Sequence, residues 1–301
     1  MMVQRLLTFA FALLLILPLV AQPHANGGIL VEYKNFPSQY VTPRDVWVWL
    51  PHRYEKGEKY DVLYMHDGQM LFDSTTTWNH QEWQVDENMS RLIKEGKTRP
   101  CIVVAIANIP ETRYGDYFPR KTLDYLPAGK AVSPDIKFNA DNYLHFIVAE
   151  LKPYIDSHYS TRKGRNHTFI MGSSMGGLIS LYALCEYPAV FGGAACLSTH
   201  VPMVLSSTLP NREADEWAAA FRSYLNDHLP AAKGHLLYMD RGDSTLDRYY
   251  PPYQTAIDSV VRSRGWNEKH FVTRIFPGHS HAENDWARRL SYPLKFLLKR
   301  E

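Results

Sequence analysis

The chain has 301 residues, 45% hydrophobic, 13% aromatic and 21% charged, a profile that excludes intrinsic disorder and a coiled coil. Its 33 basic and 31 acidic side chains leave a formal net charge of +2, and without basic blocks neither nucleic acid nor an anionic membrane is expected as a partner. The three cysteines each sit in an apolar setting, Cys101 in CIVVAIAN, Cys185 in LYALCEY and Cys196 in GGAACLS, so they read as core thiols and not as a disulfide framework or a nucleophile.

The N-terminus carries Arg5 and then an apolar run over residues 6–20, interrupted by Thr8 and Pro18 and followed by Ala21-Gln22. This is the h-region of a signal peptide over residues 1–21, short for a membrane span. It implies a secreted or periplasmic protein with no stable membrane insertion after cleavage; an uncleaved N-terminal anchor is the alternative. Beyond residue 27, short β-rich runs alternate with amphipathic helices, as an α/β fold with a mostly parallel central sheet and helices on both faces requires. Strands are expected at 46–50, 61–66, 101–108, 168–172, 193–197, 235–239 and 270–276. Two of them, CIVVAIAN and HLLYM, are nearly continuous apolar runs, which suits strands covered on both faces.

Helices are expected at about 81–94, 144–155, 175–186, 213–227, 253–264 and 285–299. In the second, Leu144, Ile147, Val148, Leu151 and Ile155 line one apolar stripe. The longest connection, from 109 to about 137 (ETRYGDYFPRKTLDYLPAG within it), has no periodic segment. It reads as a lid or binding wall, with a plain surface excursion as the alternative. No repeat, low-complexity stretch or linker divides the chain, so residues 28–301 are expected to form a single domain.

Residues 168–177 read TFIMGSSMGG, with a β-rich run before and a helical segment after. This is G-x-S-x-G between strand and helix, the nucleophile elbow, with Ser174 at its apex. Glycines at its flanks let strand and helix backbones approach while the hydroxyl projects clear of the sheet. A serine hydroxyl is a weak nucleophile, so a base and an orienting acid are required, and in this arrangement they follow in the order Ser, acid, His. After the last strand, PGHSHAE offers His281 as base, with His279 as the alternative. After HLLYM, DRGDSTLD offers three carboxylates: Asp240 is placed to fix the turn around Gly242, while position alone does not separate Asp243 from Asp247 as the acid. The spacing of His279, His281 and Glu283 also fits a zinc ligand set, but no further ligand cluster accompanies it; neither metal nor cofactor is expected. The oxyanion needs two backbone donors: the N–H of Met175, and one from the loop His66-Asp67-Gly68-Gln69-Met70, with Gln69 preferred and Gly68 second.

With these residues in place, the chain resembles the esterase family of α/β-hydrolases that includes feruloyl and acetyl xylan esterases, enterochelin esterases, S-formylglutathione hydrolase and the mycolyltransferases. The segments that carry the resemblance are VLYMHDGQMLFD, FIMGSSMGG, MDRGDSTLD and FPGHSHAENDW. The resemblance implies the α/β-hydrolase fold, His281 as base, Asp247 as acid, and a serine carboxylic-ester hydrolase acting on a small-molecule or carbohydrate-linked ester such as a plant-polymer acyl ester or a siderophore ester. Acyl transfer to an alcohol, or a secreted binding protein that lost activity, are the alternatives. One departure is Met70, where the subfamily it most resembles, the secreted enterochelin-esterase-like proteins, often carries Asn. Of the aromatic residues Trp78, Trp83, Tyr114, Tyr117 and Phe118, either a substrate wall or ordinary packing is expected; Trp78, Tyr114 and Tyr117 are taken as substrate-binding candidates, together with His200 in a later loop.

Overall fold

The computed structural model describes residues 23–130, 132–204 and 209–300. The expected signal segment, residues 1–21, lies outside the described residues. The strands are β1 (Ile29–Phe36), β2 (Arg44–Leu50), β3 (Asp61–His66), β4 (Cys101–Ile106), β5 (Thr168–Ser173), β6 (Gly193–Leu197), β7 (Leu236–Arg241) and β8 (Phe271–Ile275). They form one sheet in the order β1-β2-β4-β3-β5-β6-β7-β8. The edge pair is antiparallel and joins β4 antiparallel; from β4 through β8 all pairs are parallel. The α/β-hydrolase architecture anticipated from the sequence is the one the chain adopts.

The core lies in two layers because successive side chains of a strand face opposite ways. Val62 and Tyr64 of β3 belong to one layer, and Leu63 and Met65 to the other. Against the first layer pack α3 (Ala140–His145), α4 (Lys152–His158), α5 (Met175–Glu186), α6 (Arg212–His228) and α7 (Pro251–Ser263); against the second, α1 (Val85–Lys94) and α9 (Ser291–Leu297). Two short helices, α2 (Arg113–Tyr117) and α8 (Glu283–Arg289), sit in segments that reach the site. Every residue of α5 but Glu186 is buried, which is why its sequence shows no polar face.

Four expectations are corrected. Strand β1 was not anticipated: ILVEYKNF mixes charge into a half-exposed edge strand, where neither a continuous apolar run nor a clean alternation survives. The helix expected at 144–155 is α3, a π-helical stretch Phe146–Leu151 and α4 in succession; Pro153 has no N–H for an α-helical ladder, and wider turns precede it. The C-terminal helix is two helices meeting at Leu290, because Pro293 likewise cannot donate back to Arg289. The long connection holds α2 and a 3-10 segment, Arg120–Tyr125, despite its lack of apolar period.

Candidate active site

Strand β5 delivers the chain to Ser174 at φ 55 and ψ −122, and α5 starts at the next residue. A non-glycine residue at positive φ is disfavoured and persists only where its surroundings over-determine it. Here the end of β6 grips both sides: Ser174 N–H donates to the Leu197 carbonyl at 2.9 Å, and the Ser174 carbonyl accepts from His200 N–H at 3.1 Å. The turn needs its glycine, because a Cβ on Gly172 would lie 2.7 Å from the Gly176 backbone. The Met175 N–H opens α5 and has no carbonyl partner within the helix. The Met175 side chain itself is buried in the core.

On the far side of the sheet edge, Asp247 lies in a 3-10 turn after β7 and is fully buried. Its Oδ1 is 2.7 Å from His281 Nδ1, and its Oδ2 accepts from Gly242 N–H at 2.6 Å and Ser198 Oγ at 2.6 Å. Burial pushes this carboxyl up, but the His281 contact, the Ser198 hydroxyl and the Gly242 amide together hold it below the usual carboxylate range. The loops carrying Asp247 and His281 are fastened to each other. Asp243 and Ser244 N–H both donate to the His279 carbonyl, at 3.2 and 3.1 Å, and His281 N–H donates to Thr245 Oγ1 at 2.8 Å. A Cβ on Gly242 would stand 2.0 Å from that same His279 carbonyl oxygen.

The alternatives left open by the sequence are separated in space. Asp243 is exposed and its Oδ1 accepts from Gly278 N–H at 2.8 Å; Asp247 meets His281. His279 turns its Nδ1 to the Asp285 carbonyl, 3.3 Å away, and its ring to Phe276. Asp240 does not fix the turn around Gly242, which Asp247 does. It lies within β7 on the same face as Tyr238, accepts from that phenol at 3.0 Å and pairs with Arg289 Nε at 3.2 Å. Burial pushes its carboxyl up to about 6 against the pull of Arg289. Glu283 is engaged by Asn79 Nδ2 at 2.9 Å, and among the described residues no group of three or more His, Cys, Asp or Glu side chains is placed to hold a metal.

The loop after β3 reaches the elbow from the other side. Asp67 takes the left-handed conformation (φ 57, ψ 45) and Gly68–Met70 forms one 3-10 turn. A Cβ on Gly68 would lie 2.7 Å from the backbone of Ala105 and Ile106, and one on Gly176 would lie 3.3 Å from Asp67 Oδ2 and from His66 Cβ. The loop is therefore pressed onto β4 below and onto the first turn of α5 beside it. Gln69 Oε1 accepts from Asn108 N–H at 3.1 Å. Met70 is buried in the second layer, so the position that departs from the subfamily pattern packs inward.

A clamp that sequence reasoning did not find holds this loop. Arg113 of α2 donates through Nε and Nη2 to the two oxygens of Asp67, both at 2.8 Å, and Asn108 Nδ2 adds a third contact at 2.6 Å. These partners outweigh burial and keep the Asp67 carboxyl below its ordinary value. Tyr117, also on α2, has no exposed surface; its hydroxyl accepts from Asp67 N–H at 3.3 Å and its ring lies under the Arg113 guanidinium. A second pair, Arg44 with Asp116 at 3.1 Å and fully buried, is joined by Thr112 and Asn139. These contacts tie α2 down twice.

The remaining candidates fall into two groups. Trp78 is 82% exposed, and its neighbour Asn79 is the partner of Glu283 at the start of α8. Tyr114 donates to the Met203 carbonyl at 2.5 Å, joining α2 to the loop after β6. His200 is buried, with Nε2 2.9 Å from the Val204 carbonyl and Nδ1 2.7 Å from the Tyr250 hydroxyl. Because a carbonyl only accepts, Nε2 carries the proton, and burial holds the ring neutral by pushing its pKa down to about 4. Trp83 and Phe118 are core residues.

Comparison with known proteins gives the family and the fold. The uncharacterized Bacillus subtilis protein YjcH is 26% identical over 176 residues, 58% of this chain and 64% of that protein. An endo-1,4-beta-xylanase/feruloyl esterase of Xylanibacter ruminicola is 28% identical over 163 residues, 52% of this chain but 20% of that larger protein. The chain thus spans less than two thirds of the length of these curated relatives. Among solved structures, a ferulic acid esterase superposes with a TM-score of 0.66 at 20% identity, covering 91% of this chain and 99% of the other. The enterobactin esterase of Shigella flexneri gives 0.61 at 17%, covering 91% and 60%; both share the fold. A family model described as "Putative esterase" matches residues 39–296, and the chain belongs to that esterase family.

Proposed function

We propose that this protein is a serine carboxylic-ester hydrolase in which Ser174 attacks the ester carbonyl. In this reading His281 takes the hydroxyl proton through Nε2 and returns it to the leaving alcohol, and Asp247 holds the imidazole by its Nδ1. The N–H groups of Met175 and Gln69 receive the oxyanion, and water then hydrolyses the acyl-enzyme. The observation that carries the reading is the 2.7 Å contact between buried Asp247 and His281 Nδ1, on loops fastened to one another at the same sheet edge as the strained Ser174. The ferulic acid and enterobactin esterases that share the fold support an ester with an aromatic acyl group, with the exposed Trp78 ring as a candidate to contact it. The apolar run over residues 6–20 supports export to the periplasm or medium.

Ser174→Ala is expected to lower p-nitrophenyl acetate hydrolysis by roughly 10⁶-fold and to abolish labelling by a fluorophosphonate probe. Hydrolysis at the parent rate in that variant would refute the assignment. A panel of acetyl, feruloyl and catechol-bearing esters assayed on the parent protein then tests the aromatic preference, which fails if short acyl esters are the better substrates by kcat/KM.

A further inference from the structure

Behind Asp247 lies a buried polar chain that the chemistry above does not use. Ser198 Oγ is 2.6 Å from Asp247 Oδ2, 2.7 Å from Arg289 Nη2 and 3.1 Å from Trp286 Nε1. Ser198 and Arg289 have no exposed surface and Trp286 almost none. A serine hydroxyl has one proton and two lone pairs, whereas an indole N–H and a guanidinium can only donate. Trp286 and Arg289 therefore take both lone pairs of Ser198, and the single Ser198 proton has one acceptor left, Asp247 Oδ2. The Gly242 N–H also donates to that oxygen. With Oδ2 an acceptor on both contacts, a proton on this carboxyl would have to sit on Oδ1; the contacts that hold Asp247 below the usual carboxylate range keep it an anion, so the proton in its Oδ1 contact comes from His281 Nδ1.

We infer that Arg289 and Trp286, through Ser198 and beside their own contacts with the pair (Arg289 Nη2 3.8 Å from Asp247 Oδ2, the Trp286 ring edge-on to His281 at 5.1 Å), are positioning residues that fix the direction of the hydrogen bonds along Asp247 and His281. They thereby select the imidazole tautomer whose Nε2 is free to accept the Ser174 proton. The inference rests on the hydrolase reading above for its consequence, though not for its geometry. Two further features fit. Ser198 adopts φ 44, a left-handed conformation uncommon for serine, and its N–H is anchored on the Asp240 carbonyl at 2.8 Å. This carries the hydroxyl to the meeting point of Asp247, Arg289 and Trp286. Arg289 in turn pairs with Asp240 at 3.2 Å and lies over the Phe276 ring, which aims its Nη2 at Ser198. The other polar groups around the pair are turned elsewhere: Tyr250 to His200, and Arg241 to the Gly242 carbonyl.

The test uses the whole protein without substrate, labelled with ¹⁵N, alongside steady-state kinetics on p-nitrophenyl acetate. In the parent, His281 is expected to show the Nδ1–H tautomer and a low-field Nδ1 proton. Ser198→Ala, which removes one small polar atom, is expected to lower kcat about tenfold or more with KM unchanged. In the same variant the His281 Nδ1 proton moves upfield and the Nε2–H tautomer becomes populated. Trp286→Phe, which keeps the ring packing but loses the donor, is expected to shift both readouts the same way by less. Parent kcat and an unmoved His281 signal in Ser198→Ala overturn the inference, as does a loss of kcat in that variant with the His281 signal unchanged, which marks a packing role only. If the parent hydrolyses no ester while the His281 signal still responds to Ser198→Ala, the hydrolase reading fails and the positioning role stands.

Discussion

At Gly68 the consequence of a single methyl group follows from distances. The added carbon would lie 2.7 Å from the backbone of Ala105 and Ile106, atoms of the sheet that cannot yield as the tip of a flexible side chain would. Gly68→Ala is therefore expected to lift the Gln69 N–H off its position. The chemistry then loses an oxyanion donor, and kcat on p-nitrophenyl acetate falls about a hundredfold, with KM changed far less because the donor acts on charge that develops in the transition state. Stability should fall by about 1–3 kcal/mol from overpacking, read as a lower Tm. Unchanged kcat would show that Gln69 does not serve the oxyanion. At this scale the sequence was informative where chemistry demands a rare local pattern. The glycines around Ser174 and the HDGQ loop are legible because a sharp turn and a close backbone approach admit few alternatives. Ser198 and Arg289 were not legible, because an isolated Ser after a strand and an Arg in a C-terminal helix carry no local signature; only tertiary contact brings them to Asp247.

Elements show the same division. Strands β3 and β6 span the expected residues, 61–66 and 193–197, since burial on both faces makes the apolar run itself the signal. The α2 region gave no such signal because polar pairs hold it, Arg113 with Asp67 and Arg44 with Asp116, and partners 46 and 72 positions apart leave no period to detect. The function of that holding is testable. Arg113→Met keeps the length and apolar stem of the side chain but leaves the Asp67 carboxylate with Asn108 as its remaining side-chain donor. Breaking this partly buried pair from one side costs about 1–3 kcal/mol, a fall in Tm of roughly 2–12 °C for a chain of this size. Because Asp67 precedes the oxyanion turn, kcat is expected to fall as well, by at least about tenfold. A variant that loses Tm but keeps kcat would show that the clamp serves stability alone.

Across the whole molecule, the two core layers share one sheet, so the loss of either exposes one face of the same strands. Cysteines mark both. Cys101 of β4 belongs to the layer under α1 and α9, while Cys185 of α5 and Cys196 of β6 belong to the opposite one. All three are buried free thiols, and burial pushes each well above its ordinary pKa, so thiolate, the form that reacts with disulfide reagents, is scarce in the native state. The folded protein is expected to give no reaction with a thiol reagent such as dithionitrobenzoate, and addition of reductant is expected to leave Tm unchanged. In increasing guanidinium the three thiols should become reactive together, at the same midpoint as the loss of tryptophan fluorescence, because the layers that bury them share one sheet. Reactivity of Cys101 at a lower midpoint than Cys185 and Cys196 would instead show that the α1 and α9 layer peels away first. The sheet edge carrying Ser174, Asp247 and His281 would then rest on one layer, and activity would outlast the first transition.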